Sequence, residues 1–139
     1  MTSRRSGGFT LLEMLVVLAV LGLAATIVLS SLPPRSVRAE VRAGAASVAG
    51  GLRMARGQAI ATDRPVAVVL DPAARMFRVG TGRITRLPDR LAMSATRPAI
   101  VFAPDGSSSG GRIDLASGTI HMQLDVSWLT GRVQTTGDR

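Results

Sequence analysis

The chain has 139 residues, and its net charge of +8 comes from 17 basic side chains, all arginine, set against nine acidic ones. It contains no cysteine and a single histidine, which excludes a disulfide framework, cysteine metal sites and histidine clusters. The length leaves room for one small domain after an N-terminal apolar segment, with a core that is modest by size.

The N-terminal segment from Phe9 to Leu29 is apolar apart from one charged side chain, Glu13. A run of this length predicts a membrane-spanning helix, which we place at 9–30. A secretory signal peptide is the alternative, but its apolar core is only about 7–15 residues long and a small-residue cleavage site follows it. A carboxylate in a membrane helix costs roughly 2.5–3.5 kcal/mol if it is central. Glu13 therefore requires a partner or a function.

The sequence Gly8-Phe9-Thr10-Leu11-Leu12-Glu13 resembles the leader of type IV pilins and type II secretion pseudopilins. The resemblance implies that 1–8 is a prepilin leader, that prepilin peptidase cleaves after Gly8, and that Phe9 becomes N-methylated. It implies a subunit-assembly role for Glu13, whose carboxylate would approach the new amine of Phe9 on a neighbouring subunit. It also implies a single-pass protein of the bacterial inner membrane, with the leader in the cytoplasm and the C-terminal domain in the periplasm.

The next segment, 31–62, is predicted to continue the helix into the periplasm. Pro33-Pro34 interrupts the pattern and predicts a kink or break, because proline removes a helix donor and disfavours helical geometry before it. Beyond the prolines, apolar residues recur at helical spacing and form one stripe. The stripe comprises Val37, Val41, Gly44/Ala45, Val48, Leu52, Ala55 and Ala59.

The remainder, 63–139, is predicted to be a β-rich periplasmic domain. Seven or so short strand patterns are separated by turn signals such as Asp71-Pro72 and Ser117-Gly118, and the tail from Thr135 is predicted to fray. The fold class is therefore α+β, with a sheet packed on the helix stripe. This layout also resembles the pilin fold, in which a long N-terminal helix packs on a C-terminal antiparallel β-domain.

Two motifs in this domain are weak matches to chemical sites. Gly106-x-Ser108-x-Gly110 has the spacing of a nucleophile elbow, with His121 and Asp125 as triad partners on paper, but the strand-like sequence after it favours a hairpin loop. The calcium-like run from Asp105 has alanine where an EF-hand needs glutamate. The sequence contains no Walker loop, dinucleotide fingerprint or metal-ligand spacing. It predicts no enzyme, no cofactor and no metal site.

The single histidine and the single tryptophan are assigned structural positions. His121 is predicted to be a surface residue of a strand, and Trp128 a core or rim anchor. The abundant arginines make nucleic-acid binding an alternative. They are spread along the chain and only four aromatic residues accompany them, so a solvated basic surface is favoured.

Three stretches of the domain resemble the H-type (GspH) minor pseudopilins of type II secretion: 52–69, 102–107 and 129–133. The resemblance implies assembly with other minor pseudopilins and the major pseudopilin into a periplasmic tip complex that drives export of folded proteins through the outer membrane. The same family includes FimT-like minor type IV pilins, which act in pilus assembly or DNA uptake and carry a G-R-x-R element. Gln134 stands at the second arginine of that element, which disfavours DNA uptake.

Overall fold

The computed structural model describes residues Leu11–Ser30 and Ser36–Gly137. The predicted leader, the cleavage pair Gly8 and Phe9, and the predicted kink at Pro33-Pro34 lie outside the described residues. The chain divides into two compact units, Met1–Pro34 and Arg35–Arg139.

The first unit contains helix α1, Leu11–Ser30. Its apolar side chains from Leu11 to Leu23 are largely exposed, and the hydroxyl of Thr26 donates to the carbonyl of Gly22 at 2.8 Å. Across the described residues, no helix combines the length and the apolarity that crossing a membrane requires. The predicted span at 9–30 begins outside those residues and stays a prediction.

The second unit begins with helix α2, Val37–Thr62. The hydroxyl oxygen of Ser36 caps it by accepting from the Ala39 amide at 3.2 Å, and the Ser36 carbonyl accepts from the same amide at 2.7 Å. The helix ends where Asp63 takes a left-handed conformation (φ 51°) and donates its amide to the Ala59 carbonyl.

Eight strands follow α2 in the described part of the chain, and they form two antiparallel sheets of four strands each. The first sheet has the order β3-β2-β1-β5 and the second β4-β6-β7-β8. The strands are β1 Val66–Asp71, β2 Met76–Val79, β3 Ile84–Arg86, β4 Ala92–Ala95, β5 Ala99–Phe102, β6 Gly111–Ser117, β7 Ile120–Val126 and β8 Val133–Gly137. The α+β class with antiparallel strands packed on a helix is thus confirmed, and the single sheet is corrected to two.

The predicted frayed tail is wrong for 135–137. These residues belong to β8 and pair with β7, with Thr135 opposite Leu124 and Gly137 opposite Met122. Their side chains are exposed, so no apolar alternation marks the strand. Backbone hydrogen bonding to β7 forms it instead.

The core lies between α2 and both sheets. The predicted stripe is buried from Val41 to Ala59, whereas its first member, Val37, is 38% exposed. Small helix residues let side chains of the β-domain approach: a Cβ added at Gly51 would lie 2.5 Å from the ring of Phe77 on β2, and one at Gly44 would lie 3.0 Å from Leu91, just before β4. The fully buried strand residues include Val68, Ile100, Phe102, Ile113, Leu115 and Leu124.

Candidate functional site

The three sequence stretches that carry the family resemblance meet at one place. Arg56 on α2 donates from Nε to the carbonyl of Gly106, in the loop after β5, at 3.1 Å. Gly131, in the turn between β7 and β8, packs against the same group: an added Cβ would collide with the Gly106 carbonyl and lie 3.0 Å from Arg56 Nε. We call Arg56, Gly106 and Gly131 the arginine clasp. It joins the helix to the loops of both sheets.

Glycine is required at both loop positions of the clasp. Gly106 has φ +84° and Gly131 has φ +60°, conformations in which a side chain clashes with the backbone. Both positions are buried, so backbone and guanidinium approach without an intervening side chain. The contact therefore depends on residue types that are far apart in the sequence.

The β7–β8 turn is fixed by its own hydrogen bonds. The Ser127 amide donates to the Arg132 carbonyl at 2.9 Å, and the Gly131 amide donates to the Ser127 carbonyl at 2.8 Å. Ser108 ties this turn to the loop after β5, since its amide donates to the Trp128 carbonyl at 2.8 Å and its hydroxyl to the Ser127 carbonyl at 3.0 Å. The two loops form one interlocked surface.

Next to the clasp, Arg56, Thr130 and Arg132 line an open cleft of about 320 Å³. The side chains of Trp128 and Leu129 are 68% and 64% exposed in the adjoining turn. The core position considered for Trp128 is therefore wrong. The chain at Trp128 packs closely on Gly110, where an added Cβ would lie 3.1 Å from the Trp128 Cβ, while most of the side chain meets solvent.

Sequence reasoning did not predict this cleft. Arg56 lies in the helix motif and Arg132 in the motif at 129–133, and both motifs were visible in the sequence. Their convergence depends on how the two sheets fold over α2, which no spacing in the sequence encodes. The arginines are therefore not uniformly dispersed, since two of them border one opening.

The nucleophile-elbow spacing does not produce a triad. Ser108 bonds to the β7–β8 turn, His121 is an exposed strand residue as predicted, and Asp125 accepts from Gln123 and Arg112. The predicted hairpin is also wrong, because this loop carries the chain from β5 in one sheet to β6 in the other.

The calcium-like run is an ordinary turn in the structure. The carboxylate of Asp105 accepts from the hydroxyl of Ser107 at 2.6 Å and from its amide at 2.9 Å. These hydrogen bonds hold the pKa of Asp105 below its usual value. Within the described ranges, no group of three or more acidic or histidine side chains gathers to hold a metal ion.

A second polar group lies on the paired strands β6 and β7. The Asp125 carboxylate accepts from the side-chain amide of Gln123 and from Arg112 Nε, the latter at 3.0 Å. Both hydrogen bonds lower the pKa of Asp125, and the same carboxylate raises the pKa of Arg112. Both ionic side chains are 40% exposed or more, so this pair has the character of a surface contact.

The predicted N-terminal site is reached only in part by the structure. Glu13 lies in the first turn of α1. Its proposed cleavage and methylation neighbours, Gly8 and Phe9, lie outside the described residues. The roles assigned to these three residues stay predictions.

The fold is similar to solved structures of known proteins. The fold matches that of the type IV minor pilin FimU of Pseudomonas aeruginosa, with a TM-score of 0.63 and 15% identity over 76% of this chain and 98% of that one. It equally matches the minor pseudopilin EpsH from the type 2 secretion system of Vibrio cholerae, with a TM-score of 0.62 and 12% identity over 70% and 97%. The fold is therefore that of the minor pilins and pseudopilins.

Sequence comparison is more specific. Residues 44–131 match the family model of the type II transport protein GspH, and residues 3–29 match the prokaryotic N-terminal methylation motif. The chain is 34% identical to type II secretion system protein H of Xanthomonas campestris pv. campestris, over 95% of this chain and 84% of that protein. The chain belongs to the GspH family.

Proposed function

We propose that this chain is a minor pseudopilin of a type II secretion system, which assembles with other pseudopilins into a periplasmic fibre that drives protein export. The 34% identity to a type II secretion system protein H over nearly the whole chain carries this proposal. The matching fold supports it but does not choose between machines, because a type IV minor pilin matches as well as a pseudopilin.

The N-terminus supplies the proposed membrane anchor and processing site. The methylation motif at 3–29 supports cleavage after Gly8 and methylation of Phe9 by prepilin peptidase. The apolar run from Phe9 to Leu29 would hold the subunit in the inner membrane, with the β-domain in the periplasm. Mass spectrometry of the chain from membranes with active peptidase should find methylated Phe9 at the N-terminus. An intact Met1 end would contradict this step.

Glu13 is the proposed assembly contact. Cleavage creates a positive amine at Phe9, and two opposite charges attract strongly where the dielectric is low. In a staggered fibre, the Glu13 carboxylate of one subunit would approach that amine on the subunit next to it. The contact would set the register of each added subunit.

The decisive experiment compares two glutamate substitutions in a strain that lacks the native gene. Glu13→Gln keeps size and helix propensity but removes the charge, and it should leave cleavage and protein level normal while export of folded cargo falls. Glu40→Gln is the matched control, since Glu40 also lies in the first turn of a helix but in the second unit. Normal export and unchanged crosslinks to partner pseudopilins with Glu13→Gln would refute the assembly role.

The choice of machine is tested separately by deleting the gene. Loss of exported enzymes with intact pili and DNA uptake is expected for a pseudopilin. Loss of pili or DNA uptake with normal export would identify the chain as a FimT-like minor pilin instead.

A further inference from the structure

The cleft beside the arginine clasp has the chemistry of a docking site for a carboxylate. Arg56 and Arg132 line it together with the hydroxyl residue Thr130. Arg56 uses Nε to hold the Gly106 carbonyl, which fixes its guanidinium plane and leaves its two terminal nitrogens as donors. Two guanidinium groups bordering one opening, with no acidic side chain in its lining, favour an anionic group.

The neighbouring surface is apolar, and this narrows the class of ligand. Trp128 and Leu129 are exposed in a turn whose backbone is fixed by hydrogen bonds at both ends. Exposed tryptophan and arginine held on a rigid element are the residues most enriched among protein-interface hot spots. A DNA duplex keeps its bases stacked inside, so its phosphate backbone would find two cations in this cleft and would leave the Trp128–Leu129 surface uncovered.

We propose that this surface, formed by Arg56, Trp128, Leu129, Thr130 and Arg132, docks an acidic segment of a neighbouring protein subunit, in which a glutamate or aspartate lies beside an apolar side chain. The carboxylate would enter the cleft between the two arginines, and the apolar side chain would cover Trp128 and Leu129. That the segment belongs to a subunit of the same fibre rests on the proposed function. The recognition of a carboxylate by the two arginines does not depend on the proposed function.

The chain carries its own reporter for this site. Trp128 is the only tryptophan and the chain has no tyrosine, so the intrinsic fluorescence excited at tryptophan wavelengths comes from this turn. The full chain in nonionic detergent is titrated with a blocked hexapeptide of alternating glutamate and leucine. We expect a saturable blue shift, and no response to the same peptide with glutamine in place of glutamate.

Three variants assign the response to the cleft. Arg132→Gln should weaken peptide binding by about tenfold or more, the order expected for one charge-assisted hydrogen bond, and Arg132→Lys should retain part of it. Arg86→Gln, at an exposed position of β3 in the other sheet, is the matched control and should bind as the native chain does. Equal binding of both peptides, or equal weakening by Arg132→Gln and Arg86→Gln, would overturn the proposal. Duplex DNA that binds more tightly than the acidic peptide and is lost with Arg132→Gln would replace it with a nucleic-acid site.

A crosslinking experiment in cells tests the fibre partner. A photoreactive residue at Leu129 should crosslink to a pseudopilin at an acidic segment, Arg132→Glu should abolish the crosslink, and an acidic-to-arginine change in that segment should restore it. Peptide binding without this crosslink would show that the carboxylate site is real but that its partner lies outside the fibre. The two experiments therefore test the carboxylate site and the fibre partner separately.

Discussion

Replacing Gly131 with alanine should destabilise the domain strongly, because this buried glycine combines a left-handed backbone with close packing. At φ +60° a non-glycine residue costs about 1–2 kcal/mol. The new Cβ would also collide with the Gly106 carbonyl and lie 3.0–3.1 Å from Arg56, and because backbone cannot yield as a flexible side chain does, overpacking adds about 1–3 kcal/mol. The expected loss is about 2–5 kcal/mol, a large part of the ~5–15 kcal/mol that stabilises a typical protein.

Denaturant unfolding of the full chain in detergent, followed by far-UV circular dichroism and by Trp128 fluorescence, measures this loss. Gly118→Ala is the matched control, since Gly118 has the same φ of +60° but nothing within 4 Å of an added Cβ. It should lose only the conformational part, about 1–2 kcal/mol. Equal losses of unfolding free energy in the two variants would show that the close packing of the clasp contributes nothing to stability.

Alanine substitutions at two adjacent glycines of α2 should change the free energy of unfolding in opposite directions. Gly50→Ala adds a methyl group in open space and should stabilise α2 by about 0.5–1 kcal/mol, whereas Gly51→Ala places one 2.5 Å from the Phe77 ring and should destabilise by about 1–3 kcal/mol. Each variant is the other's control in denaturant unfolding, and shifts of the same sign would disprove the assigned packing. Hydrogen bonds lower the pKa of Asp125, so its carboxylate stabilises the fold at pH values above the unfolded-state pKa of ~4. This stabilisation is lost as the pH falls through the lower pKa of the folded state. Asp125→Asn should therefore lower the free energy of unfolding at neutral pH, and its stability should approach that of the native chain in acid. Arg112→Gln should lower the free energy of unfolding less. A loss of stability that is constant with pH would contradict the hydrogen bonds as the cause of the lowered pKa.

Local patterns in the sequence were sufficient to predict the α+β fold class. The apolar stripe from Val41 to Ala59 predicted the buried face of α2, because period 3.6 follows directly from helix geometry. The strand predicted at 65–70, which the structure has at Val66–Asp71, was equally visible, since an apolar run rich in valine ends there at the turn signal Asp71-Pro72. Both patterns depend only on residues close in the chain.

The parts that depend on distant pairing were missed. The division into two sheets arises because β5 returns to β1 while β4 pairs with β6, and neither choice leaves a local signal. The end of the last strand, 135–137, was missed because its residues are exposed and carry no apolar pattern. The cleft between Arg56 and Arg132 was also missed, because its two sides are distant in the sequence and meet only in the folded chain.

The glycines on the buried face of α2 match this helix to the particular side chains that pack on it. The Phe77 ring occupies the space beside Gly51, and Leu91 occupies the space beside Gly44. Because protein interiors are close-packed, a bulkier residue at either helix position requires a smaller residue at the position that faces it. Across homologous chains these positions should change in pairs. A helix transplanted from a relative with a different pairing should therefore leave a void or a clash, unless the facing residues are exchanged with it.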